Sequence, residues 1–422
     1  MRHISTHTTS ISCAVDLPLS KSIVNRLLLI HHISGGEKIS RLISDSSDTV
    51  AMQELLQKIS NTDPASEHYT EINVGNAGTV MRFLTALLAI TPGNWIITGI
   101  ERMQQRPVKP LTDALLQLGA DLSFAGREGY PPVVIRGNNS LQGGLVTLNA
   151  GISSQFISAL MMLGPVLNGG IEIQLEGDII SASYIRMTAA LMEKAGAKTQ
   201  ILGNRVIIAP KGYHKFEFTQ LAEPDWSAAA FWYQVAAFAG SARIVLKGLS
   251  NRSVQGDSVL PSIYENLGIT STFTGEGVIL TNSDHPQVSE FSYDFTECPD
   301  LAQAVIVTCA AKGIKGRFSG LKTLRVKETD RIEALKNELT KLGYPVNVTD
   351  DQIVLEGRPD ITITSDPVFI HCYDDHRMAM AFAPLALLRK DIVIDEPHVV
   401  RKSYPGFWKD LATAGFVYTE IE

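Results

Sequence analysis

One pattern of hydrophobic and polar positions occurs six times along this chain of 422 residues. Each time, an almost entirely apolar run of helix length begins with a short cluster of polar or charged residues. The runs cover 20–34, 76–90, 153–167, 225–239, 299–311 and 374–388. A helix that is apolar on every side is buried, so the pattern predicts six buried helices. Because helix N-termini attract anions, polar first turns around one cleft would bind a phosphorylated or carboxylated small molecule.

A second pattern lies between these runs, an amphipathic helix that ends at a glycine and precedes a strand. The glycines recur at intervals of roughly 75 residues, at Gly119, Gly196, Gly268, Gly343 and Gly415. Glycine is favoured just past a helix C-terminus because φ is positive there. In the first copy Asn61 takes this position, and we expect it to be left-handed. The chain is therefore predicted to repeat one unit of roughly 70 residues six times.

The strands between the helices alternate irregularly and carry hairpin signals, which excludes a doubly wound parallel sheet. We predict a mixed α/β (α+β) protein whose units pack around their buried helices, three units in each of two domains. The proline and polar residues of 220–225 are typical of a hinge between the domains.

The amino-acid composition of the chain argues against several classes of protein. With 45% hydrophobic and 19% charged residues the chain is globular, and a net charge of −7 argues against general affinity for nucleic acid or anionic membranes. Four scattered cysteines indicate reduced thiols in the cytosol, without a disulfide framework or a zinc motif. No signal peptide is expected from the first ten residues, and the apolar runs are shorter than the roughly 20 residues of a membrane span.

The first two buried runs begin with residues suited to an anion. Lys21, Ser22 and Arg26 lie at the start of the first run, with Ser22 and Arg26 on one helix face, and together they could hold a phosphate or carboxylate. In the second run the glycines of 75–78 allow close approach to the backbone, and Arg82 follows within a turn. Thr79 can cap this helix. The alternative explanation is an ordinary capped helix with a solvated lysine for the first segment, and a tight turn between a strand and a helix for the second.

Weaker signals occur in the next two segments. Arg102 and Arg106 bracket a short loop before a proline, for which an ordinary surface loop is the commoner explanation. Ser153, Ser154 and Gln155 supply three hydrogen-bonding side chains where capping needs only one.

The segment 325–331 is the most charged of the chain. Glu328 and Arg331 lie four residues before two apolar positions of the following helix, so both extend its inward face. Charges on a buried face are costly unless they are paired or used, which argues against a surface ion-pair cluster. Similar polar openings are Asp300 in the fifth run and Asp374–Arg377 in the sixth.

Taken together, these motifs resemble those of the 5-enolpyruvylshikimate-3-phosphate synthase family. SKSxxNR, GNAGTxMR, RMxxRP, SSQF, RVKETDR and DHRMAM occur in the family's order and at family-like spacing, nearly from end to end. The resemblance implies a transferase that moves the enolpyruvyl group of phosphoenolpyruvate to the 5-hydroxyl of shikimate 3-phosphate, on the route to chorismate and aromatic amino acids. It implies a cytoplasmic enzyme that works as a monomer. It implies neither a metal nor an organic cofactor.

The resemblance also implies an architecture. The expected fold is a two-domain inside-out α/β barrel of six βαβαββ-type repeats, three per domain. Residues 1–20 and 223–422 would form a discontinuous domain that carries both termini, and residues 21–222 an inserted domain. The hinge is expected near 18–21 and 221–226, with the active site in the cleft between the domains.

The family's functional residues carry over position by position. Asp300 would take the proton of the 5-hydroxyl, Glu328 would protonate the methylene carbon, and Lys21 would also be catalytic. The residues expected to bind shikimate 3-phosphate are Lys21, Ser22, Arg26, Ser153, Ser154, Gln155, Ser181, Tyr184, Asp300, Thr323 and Lys327. Those expected to bind phosphoenolpyruvate are Lys21, Asn76, Gly78, Arg82, Arg106, Gln155, Lys327, Arg331, His376, Arg377 and Lys402.

Three positions depart from the family. Leu19 replaces a glycine, Phe83 a proline and Thr323 an asparagine that contacts shikimate. These changes bear on substrate geometry and inhibitor response rather than on the reaction class. Gly78 keeps the glycine associated with glyphosate sensitivity, so inhibition by glyphosate is expected.

Three rival functions share parts of the pattern. A sister transferase acting on UDP-N-acetylglucosamine typically has a cysteine in a mobile loop, where this chain has Gln104 and Gln105. A non-catalytic paralogue that binds shikimate phosphate would not need both Asp300 and Glu328. An RNA-terminal phosphate cyclase should show a nucleotide-binding signature and more positive charge, and this sequence shows neither.

Overall fold

The structure, a computed structural model, describes residues 1–37, 39, 43–283, 288–357, 367–389 and 391–421. The chain divides into two compact units. Met1–Ser20 and Glu223–Glu422 form one, called here the discontinuous unit, and Lys21–Ala222 form the other, called the inserted unit.

The α-helices of the described residues range from one turn to four turns. They are α1 (Lys21–Ile33), α2 (Ser47–Asn61), α3 (Gly78–Ile90), α4 (Glu101–Gln104), α5 (Lys109–Gln117), α6 (Ser154–Leu163), α7 (Ala182–Lys194), α8 (Phe218–Leu221), α9 (Trp226–Phe238), α10 (Leu260–Glu265), α11 (Ala302–Lys312), α12 (Arg331–Lys341), α13 (His376–Phe382) and α14 (Phe407–Thr413). Short 3₁₀ turns lie at Gly164–Val166, Gly256–Val259, Pro299–Leu301, Lys322–Val326, Ala383–Leu387 and Pro397–Lys402.

The strands of the described residues are mostly short. They are β1 (Arg2–Thr6), β2 (Ser10–Val15), β3 (Thr70–Asn73), β4 (Gly93–Thr98), β5 (Asp121–Phe124), β6 (Val133–Gly137), β7 (Gln142–Asn149), β8 (Asn168–Glu176), β9 (Thr199–Leu202), β10 (Arg205–Ile208), β11 (Ser241–Lys247), β12 (Ile269–Phe273), β13 (Gly277–Asn282), β14 (Tyr293–Asp294), β15 (Gly316–Ser319), β16 (Val346–Val348), β17 (Ile353–Leu355), β18 (Val368–Ile370), β19 (Ile392–Ile394) and β20 (Phe416–Glu420).

Within the described residues these strands form five four-stranded sheets that share one plan. Their orders are β3-β4-β6-β5, β7-β8-β10-β9, β2-β11-β13-β12, β14-β15-β17-β16 and β18-β19-β1-β20. In each sheet the first two strands run parallel and the remaining neighbours run antiparallel. Because parallel neighbours need a long crossover, an apolar helix can connect them, as α3 connects β3 to β4. The predicted mixed α/β class is thus confirmed, and the described residues repeat this plan five times.

The N-terminal strands belong to sheets formed far along the chain. β1 pairs antiparallel with both β19 and β20, with His3 opposite Val393 and Thr419. β2 pairs parallel with β11, with Ser10 opposite Ser241. Both pairings lie within the discontinuous unit, whose sequence is interrupted by the whole inserted unit.

The six apolar runs form buried helices, as predicted. Every residue of α9 except Ser227 is buried, and every residue of α13 is buried. The buried stretches of α1, α3, α6 and α11 are equally continuous. Within the described residues, no helix combines the length and the apolar character needed to cross a bilayer.

The glycines after the surface helices adopt the predicted left-handed conformation, with φ of 86° at Gly119, 94° at Gly196 and 85° at Gly343. The same prediction for Asn61 is wrong. Asn61 is the last residue of α2, and the chain leaves the helix through Thr62 in an extended conformation, with φ of −80°. The side chain therefore never has to tolerate a positive φ.

Two segments carry the chain between the units. Leu19 and Pro224 form an antiparallel bridge, the Ser20 N–H donates to the Glu223 carbonyl at 2.8 Å, and the Asp225 N–H donates to the Pro18 carbonyl at 2.9 Å. The chain segments on either side of the inserted unit therefore lie side by side, joined by this single bridge and two further backbone hydrogen bonds.

Candidate active site

Lys21 begins α1 and pairs with a residue that no sequence motif indicates. Its ammonium group lies 3.0 Å from Oδ2 of Asp48, which is in the first turn of α2. The two side chains are only 16% and 6% exposed. A short ion pair shielded from water restricts where the flexible lysine can point, so Asp48 fixes the direction of Lys21.

Arg26 is buried and ties three helices together. Its guanidinium donates to Thr188 of α7 at 2.7 Å, to Ser158 of α6 at 3.1 Å and to the Ser22 carbonyl of its own helix at 2.8 Å. Burial lowers the pKa of Arg26 to about 10, partly offset by Tyr184. The early turns of α1, α6 and α7 are therefore assembled around one positive charge.

The start of α3 is in direct contact with Arg106. The guanidinium of Arg106 lies over Gly78, where a Cβ atom would come within 2.6 Å of Nη2. Arg82, one turn into α3, donates to the Gly78 carbonyl at 3.1 Å and to the Pro107 carbonyl at 2.9 Å. Arg82 and Arg106 are 4% and 5% exposed, so two buried arginines converge on the first turn of α3.

The start of α6 lies beside that of α3. Ser153 caps α6 by accepting the N–H of Gln155, and the Gln155 amide donates to Thr79 Oγ1 at 3.1 Å. The predicted capping role of Thr79 is wrong, because α3 begins at Gly78 with Ala77 before it and no side-chain cap. Its hydroxyl joins the two helix starts instead.

The other residues predicted in this unit lie near these helix starts. Ser154 is the first residue of α6 and is buried. Ser181 is buried and precedes α7 with a left-handed φ of 58°. Tyr184 lies in the first turn of α7, with its ring 5.7 Å from the Arg26 guanidinium. Asn76 precedes α3 and is partly buried.

Arg331, the first residue of α12, lies at the centre of the charged groups in the discontinuous unit. Its guanidinium donates to Asp375 at 2.7 and 3.4 Å, to Asp300 at 3.2 Å and to Glu328 at 3.0 Å. Burial alone would lower the pKa of Arg331, but the three carboxylates raise it above its usual value. The guanidinium is therefore a fixed positive charge inside the protein.

Each of the two predicted catalytic carboxylates also lies beside a second cation. Arg377 Nη2 is 3.1 Å from Oδ2 of Asp300, and its Nη1 donates to the Asp300 carbonyl at 3.0 Å. Lys402 Nζ is 3.6 Å from Oε1 of Glu328. Two carboxyl groups joined through one guanidinium can serve as an acid and a base for a single small substrate.

Glu328 is buried as predicted, but for a different reason. The sequence pattern predicts a place on the inward face of a helix, whereas α12 begins only at Arg331, with Asp330 as its N-cap. Glu328 lies before the helix and is 8% exposed. Its burial comes from the ion pair with Arg331 rather than from helical spacing.

Asp257 is a buried acid that the sequence pattern does not predict. It lies in the 3₁₀ turn Gly256–Val259, and its Oδ2 accepts a hydrogen bond from Ser227 Oγ. Burial raises the pKa of Asp257 to about 7; the charge of Asp300 adds to the rise, while Ser227 and Arg377 oppose it. Asp257 therefore belongs electrostatically to the same cluster as Asp300. No motif in its sequence neighbourhood indicated this.

The remaining predicted residues of the discontinuous unit lie close to this cluster in sequence. Lys327 directly precedes Glu328 and is partly exposed. Thr323 lies in the turn Lys322–Val326 and is 8% exposed. His376 is buried at the start of α13, with Nδ1 3.6 Å from Oδ1 of Asp375.

Phe83, where the family usually has proline, is fully buried, with its ring centroid 5.3 Å from the Arg26 guanidinium. A cation above an aromatic ring is stabilised by the ring quadrupole. This departure is therefore part of the packing around Arg26. Leu19 lies in the bridge to Pro224.

One group of residues of metal-ligating type stands out among the described part of the chain. Potential ligand atoms of His371, Asp395 and Glu396 lie within 4.8 Å of one another. Both carboxylates already accept backbone N–H groups, Asp395 from Cys372 and Glu396 from Asp374, each at 2.9 Å. These contacts give the acids a structural role in the loop that precedes α13.

Comparison with known proteins identifies the family of the chain. A sequence model of the family EPSP synthase (3-phosphoshikimate 1-carboxyvinyltransferase) matches residues 5–411. A 3-phosphoshikimate 1-carboxyvinyltransferase of Bacteroides fragilis is 44% identical over 417 residues, covering 99% of this chain and 98% of that protein. One from Methanospirillum hungatei is 34% identical, covering 95% of both chains.

A solved structure shows the same fold. EPSP synthase from Acinetobacter baumannii has a TM-score of 0.73 at 21% sequence identity, covering 99% of this chain and 100% of that chain. The family model and the curated relatives both span nearly the whole sequence. The chain therefore belongs to the EPSP synthase (3-phosphoshikimate 1-carboxyvinyltransferase) family.

Proposed function

We propose that this chain transfers the enolpyruvyl group of phosphoenolpyruvate to the 5-hydroxyl of shikimate 3-phosphate and releases phosphate. Membership of the family supports this reaction. The observation that carries the chemistry is the attachment of Asp300 and Glu328 to the one guanidinium of Arg331, at 3.2 and 3.0 Å. The product, 5-enolpyruvylshikimate 3-phosphate, leads to chorismate and the aromatic amino acids.

In the addition step the 5-hydroxyl oxygen bonds to C2 of phosphoenolpyruvate. The hydroxyl proton passes to a base, and C3 gains a proton from an acid, so two separate proton-transfer groups are needed. We assign the base to Asp300 and the acid to Glu328, with Lys21 as a further catalytic group. Arg331, fixed in its charged state by the carboxylates of Asp375, Glu328 and Asp300, offsets the negative charge of the substrates.

In the elimination step the tetrahedral intermediate loses its phosphate from C2 and a proton from C3, and we assign the acceptance of that proton to Glu328, which is a carboxylate after it has protonated C3 in the addition. The C–O bond to the phosphate breaks, and the double bond between C2 and C3 forms again. The leaving phosphate carries negative charge, which clustered cations stabilise. Arg377 and Lys402, each within 4 Å of one catalytic carboxylate, are suited to this role.

The two substrates would use different sets of residues. We propose that shikimate 3-phosphate binds Lys21, Ser22, Arg26, Ser153, Ser154, Gln155, Ser181, Tyr184, Asp300, Thr323 and Lys327. We propose that phosphoenolpyruvate binds Lys21, Asn76, Gly78, Arg82, Arg106, Gln155, Lys327, Arg331, His376, Arg377 and Lys402. The buried guanidinium groups and helix starts described above support these assignments.

Residues of both units enter this scheme. The location of the active site in a cleft between them, with a hinge near 18–21 and 221–226, stays a prediction, as does inhibition by glyphosate. Closure of such a cleft would exclude water from the intermediate. We further propose a cytoplasmic monomer that needs no cofactor, which light scattering after size-exclusion chromatography and activity after chelation would test.

The decisive experiment measures phosphate release from the purified protein given shikimate 3-phosphate and phosphoenolpyruvate, singly and together. We expect release only with both. Lys21→Ala should abolish it, whereas Lys211→Ala, at an exposed position of the same unit, should not.

Two outcomes would overturn the proposal. Release with UDP-N-acetylglucosamine in place of shikimate 3-phosphate would assign the chain to the sister reaction. A folded protein that binds shikimate 3-phosphate but releases no phosphate with either acceptor would be a non-catalytic paralogue.

A further inference from the structure

The loop before α13 contains a tight turn in an unusual conformation. Tyr373 and Asp374 have φ of 55° and 57°, and the Asp375 N–H donates to the Cys372 carbonyl at 2.9 Å. Two central residues with positive φ and this hydrogen bond define a type I′ turn. Such turns strongly favour Asn-Gly or Gly-Gly, and a tyrosine with positive φ needs support from the surrounding structure.

Three carboxylates supply that support. Glu338 accepts the His371 N–H at 3.2 Å, Asp395 accepts the Cys372 N–H at 2.9 Å, and Glu396 accepts the Asp374 N–H at 2.9 Å. Backbone N–H groups that lie outside a helix or sheet are thereby satisfied, as buried or partly buried backbone requires.

Glu338 is the one member of this set that lies on α12. It is 1% exposed, and besides the His371 N–H it accepts the Tyr373 hydroxyl at 2.9 Å and the Lys341 ammonium at 2.6 Å. One buried side chain therefore holds the backbone before the turn and the side chain at its first central position. Lys341 supplies the counter-charge that a buried carboxylate needs.

The same helix carries Arg331 at its other end. Residues seven apart lie on one helix face, so Arg331 and Glu338 face the same loop two turns apart. Directly after the turn, Asp375 caps α13 by accepting the Arg377 N–H at 2.8 Å and binds Arg331. Arg377 in turn binds Asp300. Any shift of the turn would move Asp375. The contact of Arg331 with Asp375 and that of Arg377 with Asp300 would move with it.

We infer that Glu338 is a positioning residue for phosphoenolpyruvate, acting through the Tyr373–Asp374 turn on Asp375, Arg331 and Arg377. The inference rests on the proposed function for the identity of the substrate. Glu338 touches neither Asp300 nor Glu328, so it acts through the loop and not on the reacting atoms.

The test compares two substitutions at Glu338. Glu338→Ala removes all three contacts. Glu338→Gln keeps an oxygen that can accept from His371 and Lys341, and its amide can donate to the Tyr373 oxygen. Steady-state constants are measured for each substrate separately, together with the melting temperature. Ile263→Ala serves as a stability control, because Ile263 is buried on α10, which packs against β12 and α9.

We expect Glu338→Ala to lower kcat/KM for phosphoenolpyruvate on the order of 10²-fold, as small misplacements of binding groups do, mainly through KM. The KM for shikimate 3-phosphate should change little, because most of its proposed ligands lie in the inserted unit. Glu338→Gln should restore most of the loss, and Ile263→Ala should leave both KM values unchanged.

An unchanged KM for phosphoenolpyruvate in Glu338→Ala, or equal changes for both substrates, would overturn the inference. An inactive wild type would instead overturn the proposed function. Amide hydrogen exchange over 371–377 then decides the inference separately: faster exchange in Glu338→Ala than in Glu338→Gln supports it, and equal exchange refutes it.

Discussion

The guanidinium of Arg106 occupies the space that a side chain at Gly78 would need. A Cβ atom added at Gly78 would be 2.6 Å from Nη2 and 2.8 Å from Nη1 of Arg106, closer than van der Waals contact allows. The side chain of Arg106 is buried and cannot simply swing into solvent. The absence of a side chain at residue 78 therefore determines where this arginine can be.

Gly78→Ala should weaken phosphoenolpyruvate binding without unfolding the protein. Gly78 is in the first turn of α3, where alanine is the better helix former, so the backbone tolerates the change while Arg106 must move. We expect KM for phosphoenolpyruvate to rise by about tenfold or more, with KM for shikimate 3-phosphate little changed. Steady-state kinetics with each substrate varied in turn measures this.

The matched control is Gly126→Ala, because a Cβ atom at Gly126 meets nothing within 4 Å. This variant should behave as wild type. A Gly78→Ala enzyme with the wild-type KM for phosphoenolpyruvate would contradict the proposed role of Arg106.

Removing the carboxylate of Asp375 should destabilise the discontinuous unit. Asp375→Ala leaves Arg331 without its closest partner and α13 without its cap, and breaking a buried ion pair costs about 3–5 kcal/mol. Asp375→Asn should cost less, because its amide oxygen can still cap the helix. Urea unfolding followed by tryptophan fluorescence gives the free energies of unfolding.

Asp350→Ala is the control for this comparison, since the Asp350 side chain is 98% exposed and its loss should change the free energy of unfolding by less than about 0.5 kcal/mol. If Asp375→Ala unfolds like the control, the Arg331–Asp375 contact does not stabilise the fold.

Asp257 should make stability depend on pH. Burial raises its pKa from 3.8 to about 7, so between these values the folded protein keeps a proton that the unfolded chain releases. The free energy of unfolding therefore falls as pH rises through this window, by at most about 1.4 kcal/mol per pH unit from this group, and the contribution is constant above pH 7.

Asp257→Asn cannot titrate, so its stability relative to wild type should increase from pH 4 to pH 7 and then level off. Urea unfolding at several pH values measures the difference. If the free energy of unfolding varied with pH in parallel for Asp257→Asn and wild type, the pKa of Asp257 would be the same in the folded and the unfolded state.

Lys21 and Asp48 should be energetically coupled in catalysis. If Asp48 directs Lys21, then removing Asp48 matters only while Lys21 is present. In a double-mutant cycle on kcat/KM, we expect the double variant Lys21→Ala/Asp48→Ala to be scarcely less active than Lys21→Ala alone. The effects of the two substitutions on the activation free energy would then depart from additivity by more than about 0.5 kcal/mol.

The exposed pair Lys109–Asp113, with side chains 48% and 44% exposed, supplies the control cycle, where the effects should be small and additive. Independent, additive losses for Lys21 and Asp48 would refute the directing role of Asp48.

Much of the local structure could be predicted from the sequence, because it depends on near neighbours. A continuous apolar run predicts a buried helix wherever it occurs, as in α9, and a glycine after an amphipathic helix predicts a positive φ, as at Gly119. The same prediction was wrong for Asn61, because asparagine can adopt a positive φ but does not require one. The chain instead leaves α2 through Thr62 in an extended conformation.

The candidate site could be predicted only in part. Lys21 and Asp300 carry a visible signal, since charged groups at the start of buried helices need a partner or a ligand, and Arg331 carries one because it extends the apolar face of an amphipathic helix. The residues that pair with them in the folded chain carry no such signal. Asp48 and Asp257 are ordinary acids in their own sequence surroundings, and only folding brings them to Lys21 and to the Asp300 cluster.

The sequence by itself determined the repeat, the six buried helices and the chemical groups at their starts, because these follow from the periodicity of neighbouring residues. Tertiary structure alone decided that β1 joins β19 and β20, that Glu328 is buried before its helix begins, and that Glu338 supports the turn that brings Asp375 to Arg331. Such contacts join residues far apart in the chain or on different elements, and local pattern cannot specify them because they depend on how the elements pack.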